Sequence, residues 1–383
     1  MSTATGLDLL VIGGGLHGCA TALFAAKHGM RVTVLEKDSV ARHASGTNAG
    51  GVRRLWRNLK EVPLANRSME MWKHIGDIVD DDCGFQQVPQ IKVAENAQDL
   101  DLLRERADLM SSNGFDHERM IDQAELRDFL PAVNADCVGG LMSEDGFALP
   151  WQTTAAFARK ARALGVNILS GIEAKHIYKD AQHWRVETSE GAFTSGALLN
   201  CAGAWAGGIA AQLGDPAPVE PVAPLMIVTQ RMRPFCNAVV GTARRPLSFK
   251  QMENGTVVIG GARLGRVDTR QNRTDIDFAE LTHTARTARD IFPVMRGAVI
   301  QRTWSGIEAR TPDQLPVIGR SMRHKNAYHS FGFSAHGFQL GPATGSLLAD
   351  FIATGKLAPE IAPFPIDRFA STDANTLEKV FAT

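Results

Sequence analysis

The sequence lacks the features that would tie it to a polyanionic partner or a membrane. Lys+Arg and Asp+Glu are equal at 41 each, so the formal net charge is zero. Such a chain has no bulk attraction for nucleic acid or an anionic bilayer, although a local basic patch stays open. No run approaches the ~20 apolar residues that span a bilayer. The front apolar stretch, residues 7–12, contains Asp8 and runs straight into Gly13-Gly14-Gly15. A secretory core needs ~7–15 apolar residues behind a positive segment, so a cytoplasmic protein without a transmembrane segment is expected. Cysteine is scarce: Cys19, Cys83, Cys137, Cys201 and Cys236 are odd in number and widely spaced, with no C-x-x-C pair. Neither a disulfide framework nor a metal site is expected, only core thiols in a reducing compartment.

Glycine is in excess. It makes up 36 of 383 residues, about 9% against a usual ~7%. At ~150 residues per domain the length suggests about two domains. Residues 7–12 read as a buried strand, 16–28 as an Ala-rich helix stopped by Gly29, and 31–36 as a second strand. This is a β-α-β unit. Residues 60–134 read as charged and helical, with segments near 65–80, 97–112 and 122–129. Helices are also expected over 153–165, 278–292 and 344–354. Short strands are expected over 167–172, 174–178, 184–188, 192–200, 222–232, 246–251, 256–260 and 298–306. The order suggests a dinucleotide-binding domain interrupted by a more antiparallel substrate domain.

Gly13-Gly14-Gly15-Leu16-His17-Gly18 matches G-x-G-x-x-G. Gly13 allows the tight turn, Gly15 lets backbone approach a pyrophosphate, and Gly18 lets helix pack on strand. The helix N-terminus supplies free N–H groups and partial positive charge. Glu36 ends the second strand, which suits a ribose hydroxyl and disfavours a 2′-phosphate. The motif does not choose between NAD and FAD. A second small-residue loop, Arg42-His43-Ala44-Ser45-Gly46-Thr47-Asn48-Ala49-Gly50-Gly51, suggests a longer cofactor. Further segments follow: Asn200-Cys201-Ala202-Gly203-Ala204-Trp205, then Trp304-Ser305-Gly306-Ile307-Glu308-Ala309-Arg310, then Gly332-Phe333-Ser334-Ala335-His336-Gly337-Phe338-Gln339-Leu340-Gly341.

On these segments, in this order, the chain resembles the D-amino-acid oxidase superfamily of FAD enzymes. Within it, the sequence is most similar to D-hydroxyproline dehydrogenase-type and glycine/sarcosine oxidase β-subunit-type enzymes. The fold implied is α/β: a Rossmann-like FAD-binding domain (1–60, 135–215, 300–365) interleaved with an α+β substrate domain built on an antiparallel sheet (61–134, 216–299). The resemblance implies non-covalent FAD held by Gly13, Gly15, Leu16, His17, Gly18, Glu36 and Lys37. Further cofactor contacts would come from Arg42, His43, Ala44, Ser45, Asn48, Ala49, Gly50, Gly51, Ala174, Ala202, Gly203 and Trp205. Gly306, Gly332, Ala335, His336, Gly337, Phe338 and Gln339 would lie at the flavin edge. The covalent-flavin cysteine of monomeric sarcosine oxidase has Gly306 in its place. The histidine that anchors FMN in the multi-subunit enzyme falls near Pro150.

The chemistry implied is hydride transfer from the carbon bearing the amine of a small amino or imino acid, with D-proline or hydroxyproline favoured. Arg53, Glu308 and Gln339 are the expected substrate contacts, and His336 and Lys250 the expected catalytic groups. Arginine suits bidentate carboxylate binding, and Arg53, Arg54 and Arg57 follow the second loop directly. Arg310 would point away from the site if its strand continues. Two other readings stay open. The chain would be the FAD-bearing subunit of a hetero-oligomeric opine, proline or sarcosine dehydrogenase, passing electrons to a partner. Or it would be a non-catalytic dinucleotide sensor.

Overall fold

The computed structural model describes residues 6–261 and 263–370. Its first element is the expected one. The strand Leu7–Ile12 is buried and apolar, the helix Leu16–Lys27 follows the glycine turn, and the strand Val32–Glu36 returns parallel to the first. Among the described residues they belong to an eight-stranded sheet. Its spine places Gly191–Asn200 and Ala327–Phe331 on one side of Leu7–Ile12, with Val32–Glu36 and Asn167–Ser170 on the other. All four of these pairings are parallel, as in a sheet covered on both faces.

The second sheet has twelve strands among the described residues and is mostly antiparallel. Its spine runs from Glu220–Thr229 through Val257–Gly260, Ser248–Gln251, Val239–Thr242 and Gln86–Ala94 to Gly139–Phe147. One face carries an apolar core that includes Ile91, Val93, Val240, Phe249, Ile259 and Ile227. Period-two alternation therefore turns Gln90, Lys92, Ser248 and Lys250 to the opposite face.

Several expectations are corrected. The stretch expected to be helical contains the nine-residue strand Gln86–Ala94, and Gly139–Phe147 was not anticipated. Both belong to the second sheet, as do Ile300–Ser305 and Glu308–Arg310. Gly139–Phe147 and Ile300–Ser305 thus pair in the second sheet, although the expected boundaries at 135 and 300 place them with the FAD-binding domain. The last helix runs Gly337–Thr354 rather than from 344. Its glycines pack rather than loop: a Cβ on Gly341 would strike Leu16, and one on Gly345 would strike Ala20. Small residues let the first and last helices approach closely.

Candidate active site

The glycine turn is demanded by packing before any ligand is considered. Gly13 has φ +110°, and a Cβ there would run into the Cys201 carbonyl. A Cβ on Gly18 would run into the carbonyl of Gly13. Gly15 begins the helix without a side-chain cap, and no acidic residue occupies the first turn. The Leu16 N–H donates to Ser45 Oγ at 2.9 Å, which ties the second loop to the first. Glu36 is buried. Its Oε2 accepts from Gly14 N at 2.7 Å and its Oε1 from Asp38 N at 2.8 Å. Burial raises its pKa above the usual carboxylate range, against those two N–H bonds.

Between these groups lies a cavity of about 270 Å³. It is lined by Gly13, Gly15, Glu36, Lys37, Arg42, His43, Ala44, Ser45, Ala174, Ala202, Gly203 and Trp205, all of them expected contacts. Sequence reasoning missed Ile172, Glu173, Ile307 and Ala309, which also line it. The signal for the first two was available. They follow a strand parallel to Val32–Glu36, and ligands in such sheets sit beyond the carboxyl ends of strands. Asp38 organises the rim, accepting from Lys37 Nζ and bonding His43 Nε2, each at 2.8 Å. Lys37 Nζ stands 3.7 Å from the Trp205 ring centroid.

The loop from Arg42 onward is clamped by the second sheet. Trp304 Nε1 donates to the Thr47 carbonyl at 2.8 Å, and a Cβ on Gly306 would strike the Thr47 side chain. Asn48 ties the loop to itself through Ala44 O and Gly50 N. Lys250 Nζ donates to the Ala49 carbonyl and lies 4.6 Å from the Phe147 ring centroid. Lys250 is 5% exposed, and burial pushes its pKa down to about 7. Gly51 opens a two-residue strand that leads to Arg53.

The third glycine segment forms a strained turn. Gly332, Ser334 and Ala335 all have positive φ, at +71°, +49° and +70°. The second and third are non-glycine residues in the left-handed region, a cost that accumulates at functional sites. The turn ends at His336, and the helix Gly337–Thr354 begins there with no side-chain cap and no acidic first turn. Glu308 accepts from the Ala335 N–H, and burial pushes its pKa up to about 7. His336 Nδ1 bonds Glu61 at 2.9 Å. Burial and the nearby Arg57 charge push His336 down to about 4 against the pull of Glu61. At neutral pH the ring is therefore neutral. Because Glu61 accepts, the proton sits on Nδ1, and Nε2 keeps its lone pair. His17 stacks on Phe333 with ring centroids 3.7 Å apart.

Arg53 and Arg57 close the site. Arg53 Nη1 donates to the Leu55 carbonyl at 2.5 Å. Arg57 is 2% exposed; its Nε donates to Arg53 O at 2.9 Å and its Nη1 has no partner. Among the described residues neither guanidinium has a carboxylate within 4.0 Å. Burial lowers both, Arg57 to about 9.

Three expected contacts lie elsewhere. Gln339 is fully buried: its amide donates to Ala65 O and accepts from Arg57, while its backbone carbonyl takes Ser68 Oγ and Trp72 Nε1. With both amide ends used, it joins two helices and acts on the site only through Arg57. Phe338 packs in the core, its ring centroid 5.2 Å from that of Trp72. The Leu16 side chain lies in the seam with the last helix, so only its backbone faces the turn. Arg310 pairs with Glu220.

The family is decided by the match of residues 8–351 to the family described as "DAO: FAD dependent oxidoreductase". This chain is a member of the FAD-dependent oxidoreductases of the DAO family. It is 27% identical to sarcosine oxidase subunit beta of Arthrobacter sp, over 94% of this chain and 91% of that one. It is 24% identical to glycine oxidase of Geobacillus kaustophilus, over 94% and 97%. The solved structure of L-proline dehydrogenase from P. horikoshii superposes with TM-score 0.88 at 25% identity, covering 97% of this chain and 99% of that one. FAD is thus the cofactor, which sets aside the choice between NAD and FAD and the sensor reading. The residues fit it. The glycine turn leaves no room for side chains, Glu36 ends the second strand, and two uncapped helix N-termini offer N–H groups to anions. Among the described residues, no helix is long and apolar enough to cross a membrane.

Proposed function

We propose that this protein oxidises the C–N bond of a small amino or imino acid, with secondary amines such as D-proline, hydroxyproline or sarcosine as candidate substrates. One observation carries the reading. Two guanidinium groups without a carboxylate partner, half-buried Arg53 and buried Arg57, stand beside His336 and the strained turn. Buried charge that is unpaired is costly, so the site is preorganised for an anion such as a substrate carboxylate. The relatives named above act on amines of this size.

FAD, when bound, supplies the two-electron acceptor for the C–H hydride. The chain's own residues do the rest. Arg53 holds the carboxylate and so aims one C–H bond. His336 Nε2 accepts from the substrate N–H, and the proton lost as the imine forms leaves along that bond. Water then adds to the imine, giving a carbonyl compound and an amine. Positioning of this kind supplies much of the rate. Lys250, which titrates close to neutrality, offers a cation near the second loop. Gly306 in place of a cysteine supports non-covalent FAD, and Pro150, the first residue of its helix, supports the absence of histidine-linked FMN.

The test is anaerobic mixing of the FAD-loaded protein with D-proline, hydroxyproline, sarcosine, D-alanine and opines. Loss of flavin absorbance is expected with at least one, and no bleaching across the panel defeats the reading. Arg53→Ala should raise KM at least tenfold while FAD stays bound. A relative named as a subunit favours a second reading, transfer of electrons to a partner chain. Oxygen consumption by the lone protein on a bleaching substrate would reject it.

A further inference from the structure

The turn after the second loop sits in a cluster of charge that does not balance. Arg53, Arg54, Arg57, Lys92 and Arg106 face three carboxylates, Glu61, Glu118 and Asp145. Each carboxylate is already committed. Asp145 takes the Arg54 and Leu55 N–H groups at 2.8 and 2.9 Å and the Arg54 side chain at 3.0 Å. Glu118 takes the Trp56 N–H at 2.7 Å and the Nε and Nη2 donors of Arg106 at 2.7 and 2.8 Å. Glu61 is held by His336. The carboxylates therefore fix the backbone of the turn, including Trp56 at φ +64°. Arg53, Arg57 and Lys92 are left with no carboxylate within 4.0 Å among the described residues.

Lys92 lies on the sheet face opposite the apolar core, beside Gly241 on the neighbouring strand. Its Nζ uses one donor on the Thr242 carbonyl at 2.9 Å and lies 4.6 Å from the Trp56 ring centroid. Burial, reinforced by Arg53, pushes it down to about 8. Gln90, two residues back on the same face, is 8% exposed and its Oε1 has no partner. That oxygen is an acceptor and calls for a donor rather than an anion, so Lys92 is the cation this face offers to a carboxylate. A Cβ on Gly241 would meet the Leu247 carbonyl at 3.1 Å and Lys92 Cγ at 3.9 Å, so close packing favours glycine beside the Lys92 stem.

We propose that the substrate carries two carboxylates, one taken by Arg53 and the other by Lys92. This narrows the reading above, resting on it for the amine chemistry and setting dicarboxylates ahead of its one-carboxylate candidates. The class is an acidic amino acid or an N-carboxyalkyl amino acid. A dianion matches the surplus of two positive charges, whereas a simple amino acid such as proline leaves half-buried Lys92 without a carboxylate.

Binding can be tested without turnover. The FAD-loaded protein is titrated with glutarate and with butyrate, a dicarboxylate and its one-carboxylate counterpart, following the flavin absorption spectrum. Glutarate should bind at least tenfold more tightly. Lys92→Met should bring the two ligands within twofold, and Lys92→Arg should restore the preference, with the flavin spectrum reporting that each variant is folded and loaded. Equal binding of the two acids to the wild type overturns the inference, as does a Lys92→Met variant that keeps the preference. Preserved glutarate preference with no amine able to bleach the flavin would instead overturn the proposed reaction and leave the anion site standing.

Discussion

Lys250 shows how one residue couples the site to pH. Its folded pKa of about 7 lies below the ordinary 10.5 because of burial. Between those values the unfolded chain binds the extra proton, so the folded state gains stability as pH rises through that window. Below about pH 7 the fold bears the cost in full. Lys250→Met removes the titration. In FAD-free protein, its stability relative to wild type should improve by roughly 2–4 kcal/mol between pH 10 and pH 6, read from urea unfolding at both pH values. A pH-independent difference would show that Lys250 is not buried as described. Gly13 tests the opposite kind of residue. Gly13→Ala places a Cβ at φ +110° against the Cys201 carbonyl. It should cost at least about 2 kcal/mol even without FAD, which separates its packing duty from any cofactor contact.

The strained turn and the last helix form a unit at the scale of elements. Ser334 and Ala335 lie in the left-handed region, where a non-glycine residue costs roughly 1–2 kcal/mol. The turn is held by Ser334 N donating to the Ala309 carbonyl and Ala335 N to Glu308. Ala335→Gly should therefore stabilise the protein by up to about 1 kcal/mol, measured by urea unfolding. A loss of stability would place the strain elsewhere. The helix Gly337–Thr354 was legible only in its second half, because Gly337, Gly341 and Pro342 imitate a loop. The strand Gln86–Ala94 was hidden in the same way. Pro89 lies inside it, and Pro in a run argues against a central strand. The partner Gly139–Phe147 carries three glycines, Ser, Glu and Asp. Neither segment has the local propensity for a strand. Each becomes one because its neighbours in the sheet supply partners.

At the scale of the molecule, the cofactor should act as part of the fold. The cavity that would take the dinucleotide is assembled from both sheets: Gly13, Glu36 and Ala202 from the parallel one, Ile307 and Ala309 from the other. Binding to the folded state alone adds stability by mass action, about 2.7 kcal/mol at 100 times Kd. FAD should raise Tm in a concentration-dependent way. Glu36→Gln should weaken FAD at least tenfold and shrink that rise, measured by quenching of flavin fluorescence. An unchanged affinity would remove Glu36 from the ribose.

The first β-α-β unit and about half of the residues lining the dinucleotide cavity were legible in the sequence alone. They depend on local requirements: a turn that excludes Cβ atoms, a helix start without a cap, an acidic residue at a strand end. The expectation of Arg53 as an anion-binding group also came from its place after the second loop. The charge balance around it did not. Lys92 is separated from Arg53 by 39 positions and lies in a stretch that reads as helical. Its unpaired state exists only because Asp145 and Glu118 are drawn to the backbone N–H groups of the turn. Gln339 shows the converse, since its position in the flavin-edge segment suggested substrate while the helix seam uses both ends of its amide. Local geometry is written in neighbouring residues. Which buried charge keeps a partner is settled by hydrogen bonds across distant segments, and those exist only once the two sheets have packed.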